Sequence, residues 1–383
     1  MPWTPASQVE QRYRFVVEAS RGEVSITELC ELYGISRKTG YKWLERFDAK
    51  GRVGLEDMPR TALNHPQAVD PLTLELLLQS RRRHTSWGPR KLLAWLEQKG
   101  HSGLPAASTL GDLLKRHGLV QPRRRRRRHR APWSTPFADC HLPNDVWCAD
   151  FKGQFRVGTG EYCYPLTITD AHSRYLLRCV TVPGTTTEAT DKAFESSFRE
   201  YGLPKAIHTD NGIPFAAATP GGLTRLSVGW VKLGIRLERS QPGHPEQNGR
   251  HERMHLTLKR ETASPAHGTL PAQQRAFDAF RQEYNQERPH EALGQSPPAS
   301  AYAPSSRPYP RRVLPFEYPS TAEVRVVSSN GTIRWRNERI FLTTVLAAET
   351  VGLEEVNNDC WLLTFGVQPL GFVTGTGSLR HLR

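Results

Sequence analysis

Three acidic residues stand in three separate contexts: Asp150 in VWCADFKG, Asp210 in AIHTDNGIPF and Glu252 in HPEQNGRHERMH. Phosphoryl transfer without an organic cofactor needs a few carboxylates, distant in the chain, that converge on hard divalent cations. The surrounding residues indicate how each acid is carried. Asp150 alternates with Trp147 and Phe151, which places it on the face of a strand. Asp210 closes another strand, because Asn211-Gly212 turns the chain at once and leaves the carboxylate at a sheet edge. Glu252 follows GHPEQNG, a turn-rich stretch that should present the start of a helix. Lys259, seven positions on, lies on the same helical face, where a cation would hold a phosphate beside the acids.

Other groups compete for roles at such a site. Asp170, in TITDAHSRY, is expected to cap backbone N–H groups of a turn rather than serve as a ligand. Glu246, in the turn before Glu252, is the alternative third acid. His208 and His244 are expected as hydrogen-bond partners, with proton transfer as the alternative.

The elements around the acids change character along the chain. In SITELCELYGISRKTGYKWLERF the apolar positions Ile26, Leu29, Leu32, Ile35, Tyr41, Trp43, Leu44 and Phe47, with Gly34 between, predict two helices and a short turn. That is the helix-turn-helix pattern, with Ser36 as N-cap of the second helix and Arg37, Lys38, Thr39 and Lys42 facing a DNA major groove. A second helical block spans about 70–120, with an apolar stripe of Trp87, Leu92, Leu93, Trp95 and Leu96, Pro89 in a first turn, Ser108 as a cap, and Arg90 and Lys91 as further candidate DNA contacts. Arg123, Arg124, Arg125, Arg126, Arg127 and Arg128, followed by Arg130, cannot pack together and predict an extended arm that tracks phosphates without reading sequence.

From about Asn144 the pattern becomes strands, helix, strand and helix, a mixed α/β sheet, with helix LPAQQRAFDAFRQEYN near its end. A proline-rich stretch over 303–320 predicts a stiff extended linker. Beyond it, Asn330-Gly331 between alternating strands and further short strands predict a small β-barrel.

The net charge of +14 and pI near 9.7 make a polyanion the expected partner. Nothing approaches the roughly 20 apolar residues of a membrane span, and the opening segment lacks the apolar core of a secretion signal, so no membrane partner and a cytoplasmic location are expected. Six cysteines without CxxC or Cys/His spacing predict neither a disulfide framework nor a zinc site.

Taken together, the helix-turn-helix, WGPRK, DFKG, HTDNG, the G-x-x-E element from Gly249 to Glu252 and the segment from Tyr284 to Leu293 resemble the retroviral-integrase-like superfamily of DDE transposases, particularly those of bacterial insertion sequences. The resemblance covers nearly the whole chain. It implies a multidomain protein: a helix-turn-helix domain over 1–60, a second helical DNA-binding domain over 61–122, an Arg-rich linker over 123–140, an α/β RNase H-like core over 141–302, a Pro-rich linker over 303–320 and a small β-barrel over 321–383. Asp150, Asp210 and Glu252 would be the metal ligands for two Mg²⁺ ions, with Mn²⁺ able to substitute, and Asn211, Lys259 and Arg260 would touch DNA. The implied activity is binding of transposon-end inverted repeats, hydrolytic nicking, and attack of the freed 3′-hydroxyl on target DNA by at least a dimer, in the bacterial cytoplasm at the nucleoid. The interval from Asp210 to Glu252 is longer than the family usually shows, and the surplus is assigned to a loop at AAATPGGLTRLSVGW. The competing readings are a catalytically silent DNA-binding regulator or domesticated transposase, and a structure-selective nuclease.

Overall fold

Short polar side chains start most of the helices. In a computed structural model, which describes residues 7–58, 68–120, 140–240, 249–357 and 359–381, Ser7 caps helix α1 (Gln8–Arg21). Ser25 and Glu28 form a capping box on α2 (Ile26–Leu32), and Ser36 accepts from Thr39 N at 3.3 Å to start α3 (Arg37–Lys50). Gly34 makes the turn between α2 and α3 at φ 62°. These helices enclose Phe15, Val16, Leu29, Cys30, Trp43 and Leu55. Gly40 permits their approach, since a Cβ there would sit 2.6 Å from Cys30 Sγ. Leu32 and Tyr41 depart from the expected apolar stripe: both are exposed, on the outer faces of their helices. The chain divides into two compact units, 1–69, which holds these helices, and 70–383.

The second unit begins with α4 (Pro71–Arg83), α5 (Pro89–Gln98) and α6 (Ala107–Arg116). Pro89 occupies the first turn of α5 as expected, but α6 starts two residues earlier than the Ser108 cap requires and has no side-chain cap. Leu77, Trp87, Leu92, Leu96, Leu110 and Leu114 are buried. The block docks on the α/β part through His84 Nδ1, 3.1 Å from Glu283, and through Arg288, which ion-pairs Glu261 at 2.9 Å and lies over the Trp87 ring.

The α/β part is a mixed sheet of β1 (Val146–Phe151), β2 (Phe155–Arg156), β3 (Tyr162–Asp170), β4 (Leu176–Val182), β5 (Ala206–Thr209) and β6 (Arg236–Arg239). β3 runs antiparallel to β1, β2 and β4, whereas β1, β5 and β6 are mutually parallel in that order. Helix α7 (Thr187–Tyr201) and α8 (Arg225–Lys232) cover one face, packing Phe194, Phe198 and Trp230 with Trp147 and Ile168. Helices α9 (Gly249–Thr262) and α10 (Leu270–Gln286) bring Met254, Leu258, Phe277 and Phe280 against Cys163 and Cys179. The segment AAATPGGLTRLSVGW is not all loop: its second half forms α8, started by a Thr224–Ser227 capping box.

The proline-rich stretch is extended but fastened to the core. Arg307 donates to the carbonyls of Pro204 and Leu233, and Tyr309 stacks on Phe198. After it, β7 (Glu323–Val326), β10 (Thr350–Asn357), β11 (Cys360–Phe365), β12 (Gln368–Thr374) and β13 (Leu379–His381) form a sheet ordered β13-β12-β11-β10-β7, while β8 (Thr332–Trp335) pairs with β9 (Glu338–Phe341). The expected barrel is corrected here: among the described residues these are an open sheet and a separate ribbon that share one core. The Asn330-Gly331 turn forms, but it links β7 to β8 without pairing them, so it makes no hairpin.

Candidate active site

Asp150 lies at the end of β1, opposite Thr167 on β3, with a side chain 20% exposed. Asp210 follows β5, the parallel neighbour of β1, and its Oδ1 accepts from Gly212 N at 3.1 Å, the turn that Asn211-Gly212 dictates. Glu252 sits exposed in the first turn of α9. Asp210 and Glu252 both act on Asp150. Burial, then Asp210, then Glu252 push the Asp150 carboxyl up to about 7, against the opposing pull of the Phe151 N–H and Lys152. Asp150 therefore carries the strain of uncompensated negative charge. Three carboxylates form an all-oxygen, hard donor set of the kind Mg²⁺ and Mn²⁺ prefer. Among the described residues, no group of three or more His, Cys, Asp or Glu is drawn close enough to cage an ion, so the acids share a field without forming a closed cage.

Behind the acids is a buried polar cluster that the sequence reading missed. Thr167 Oγ1 lies 2.7 Å from Nε2 of both His251 and His255 and 3.1 Å from the Asp150 carbonyl. A hydroxyl has one proton and two lone pairs. If that proton goes to the carbonyl, both imidazoles donate through Nε2–H, and the His255 Nδ1 lone pair faces Asp150 Oδ2 at 3.7 Å. Burial keeps both rings neutral: it lowers His251 to about 3, with His208 adding, and His255 to about 2, with His251 and Lys152 adding. The available signal was the i, i+4 spacing of His251 and His255, which puts both on the inward face of α9 while Glu252 and Lys259 point outward. Arg239 was also missed; its guanidinium donates to the carbonyls of Phe215 and Gly222 and lies in the field of Asp210.

The remaining candidates are distributed as follows. Asp170 is a buried structural carboxylate, accepting from Ser173 N and Oγ and from Asn144 N at 2.6–2.7 Å, as expected of a turn cap. His208 is a hydrogen-bond partner, with Nε2 3.0 Å from Ser240 Oγ, and burial lowers it to about 4. Asn211 donates to the Ser240 carbonyl at 2.7 Å, tying the Asp210 turn to the end of β6. Lys259 and Arg260 are exposed on α9. Arg37, Lys38 and Lys42 are exposed on α3, Thr39 is half-buried, and Lys42 also lies over the Trp43 ring. Arg90 is exposed on α5, whereas Lys91 is half-buried and pushed down to about 8 by burial and by Arg288. The arginines of 123–130, His244 and Glu246 lie outside the described residues.

An integrase core domain matches residues 141–245 and another matches 233–298. A helix-turn-helix domain matches 11–61 and a homeodomain-like domain 39–114. The chain is 29% identical over 288 residues to the insertion element IS407 uncharacterized 31.7 kDa protein of Burkholderia multivorans, covering 74% of this chain and 93% of that protein. It is 25% identical over 269 residues to the insertion element IS476 uncharacterized 39.2 kDa protein of Xanthomonas euvesicatoria, covering 68% and 74% respectively. The HTLV-2 integrase catalytic core domain, solved in complex with magnesium, aligns over 42% of this chain and 98% of its own at 18% identity and a TM-score of 0.34. No described helix is long and apolar enough to cross a membrane. An integrase core behind helix-turn-helix domains and insertion-element relatives along most of the chain together support a bacterial insertion-sequence transposase of the integrase superfamily, a polynucleotidyl transferase.

Proposed function

We propose that the chain binds the inverted-repeat ends of its element, nicks them by hydrolysis and joins the freed 3′-hydroxyls to target DNA. The observation that carries this reading is that Asp210, after the parallel neighbour of β1, and Glu252, in the first turn of α9, both bring their charge to bear on Asp150. Asp150, Asp210 and Glu252 would hold two Mg²⁺ ions, or Mn²⁺ in their place. Bound there, such ions neutralise the phosphate's charge and ease ionisation of the attacking hydroxyl. The chain's own residues orient and bind. Thr167 bonds the Asp150 carbonyl and is itself held by His255, the α9 start presents Glu252, and Lys259 holds the phosphate next to the cut. In the first step a water oxygen bonds to phosphorus and the bond to the 3′ oxygen breaks. In the second, that 3′-hydroxyl attacks a target phosphate and displaces the target's own 3′ oxygen. Arg37, Lys38, Thr39 and Lys42 read the repeat from α3, the arginines of 123–130 track its backbone, and at least two copies hold the paired ends.

The test mixes the protein, a labelled duplex of the flanking repeat and a target plasmid, with Mg²⁺ or EDTA. Metal-dependent nicks at the repeat boundary and covalently joined DNA are expected from the native chain and neither from Asp150→Ala. A duplex that is retained but neither cut nor joined would instead support a silent regulator.

A further inference from the structure

We infer that the cavity between the β1–β2 turn, β3 and helices α9 and α10 receives one unpaired nucleobase from the DNA strand beside the scissile phosphate. This rests on the reading of Asp150, Asp210 and Glu252 as the phosphoryl-transfer site, since a strand threaded past them is what would present a base here.

The cavity holds about 130 Å³, well below the roughly 300–1,000 Å³ of sites that enclose drug-sized ligands. It therefore suits a single heterocycle and not a base pair or a whole nucleotide. Its walls are of two kinds. Half-buried Phe155 supplies the accessible apolar surface, backed by Leu258 and Phe277, which are themselves fully buried. Lys152 and Lys259 supply two ammonium groups, and no carboxylate lines the space. A base flanked by its phosphates has this same division, an apolar π-face joined to anionic groups, and aromatic walls accept any base because every base has such a face. Gln154, exposed beside the space, adds a side-chain amide that can both donate to and accept from a base edge. A free phosphate would leave the Phe155 ring unused, and a peptide would meet no array of free backbone groups.

Position ties the cavity to the acids. Lys152 follows Asp150 by two residues, and its charge acts on both Asp150 and His255. The turn that carries it is braced, with Lys152 N donating to the Pro165 carbonyl at 2.8 Å and Gly153 N to that of Phe151 at 2.9 Å. Lys259 lies two helical turns beyond Glu252 on the same face of α9. A strand whose phosphate sits at the acids thus has a neighbouring nucleotide within reach of both lysines. Removing one base from the stack also loosens the duplex at the bond to be cut.

The experiment uses the full chain and a duplex of the element's end carrying thymine, or photoreactive 5-iodouracil, at one position at a time on either side of the cut. The native chain is expected to make one thymine hyper-reactive to permanganate and to crosslink the iodouracil at that position to the peptide spanning 152–155. Ala263 also lines the cavity, and Ala263→Trp, which fills it, should abolish the crosslink and slow Mg²⁺-dependent nicking about 5- to 100-fold, the range of one lost base–aromatic stack, while end binding in a mobility shift is unchanged. An abasic nucleotide at the reactive position should erase the difference in nicking between Ala263→Trp and the native chain. Phe155→Ala is a milder second variant, and melting curves check that both fold. Native-rate nicking by both folded variants, or a native complex that cuts while every flanking thymine stays as protected as in free duplex, would overturn the pocket alone. A native chain that never cuts would overturn the underlying reading as well.

Discussion

Replacing Asp150 by Asn should make the metal-free protein more stable while removing its activity. Burial and the charges of Asp210 and Glu252 raise the Asp150 carboxyl from 3.8 to about 7. Ionising it in the folded chain is therefore about 4 kcal/mol costlier than in the unfolded chain. The sign follows from linkage: between those two values the folded state binds more protons than the unfolded one, so this group's contribution is fully present below about pH 4 and is lost as pH rises through 7. Asn copies the neutral acid at every pH. In EDTA, Asp150→Asn should exceed the native chain by under about 1 kcal/mol at pH 4 and by about 4 kcal/mol at pH 8, an upper bound because the side chain is partly exposed. Differential scanning calorimetry at both pH values reads this as a melting-temperature gain of roughly 8–16 °C at pH 8, at 2–4 °C per kcal/mol for a domain of this size. Mg²⁺ should then stabilise the native chain and not the variant, because only a deprotonated carboxylate ligates. A variant no more stable than the native chain at pH 8 in EDTA would refute the claim that Asp210 and Glu252 crowd Asp150.

Two further perturbations address how the acids are held and how the helical block is attached. Thr167→Val deprives two buried imidazoles of their shared oxygen and should cost about 1–3 kcal/mol per group left unpartnered; nicking should fall while end binding holds, and Thr167→Ser should restore both melting and rate. Loss of end binding with an unchanged nicking rate would argue against that role. Glu261→Ala leaves the buried Arg288 guanidinium without its carboxylate and should cost roughly 3–5 kcal/mol, loosening α4–α6 from α9 and α10. Limited proteolysis should then cleave near residues 84–88, and a digestion pattern identical to the native one would contradict the docking role of this pair.

Much of the architecture follows from local rules. The strand around Asp150, the Asn-Gly turn after Asp210, the helix that carries Glu252 and the Ser36 cap are each set by a few neighbouring residues, and each forms where the sequence indicates. What a local signal does not convey is which distant groups it meets. Asn330-Gly331 turns the chain, but β7 finds a longer partner in β10, so the turn makes no hairpin. The prolines of 303–320 keep the chain extended, yet Arg307 and Tyr309 fasten it to the core through groups some hundred residues distant.

The sequence by itself determined which chemistry was possible: acid types, their strand, turn and helix contexts, the basic charge and the helix-turn-helix depend on residue identity and spacing over a few positions. Only the tertiary structure decided that β1 and β5 are parallel neighbours, which brings Asp210 beside Asp150, and that the inward face of α9 meets β3, which joins His251 and His255 to Thr167. Those contacts depend on which strands pair and which helix face is buried. Such choices are made by the whole core at once, and the field that raises Asp150 exists only after they have been made.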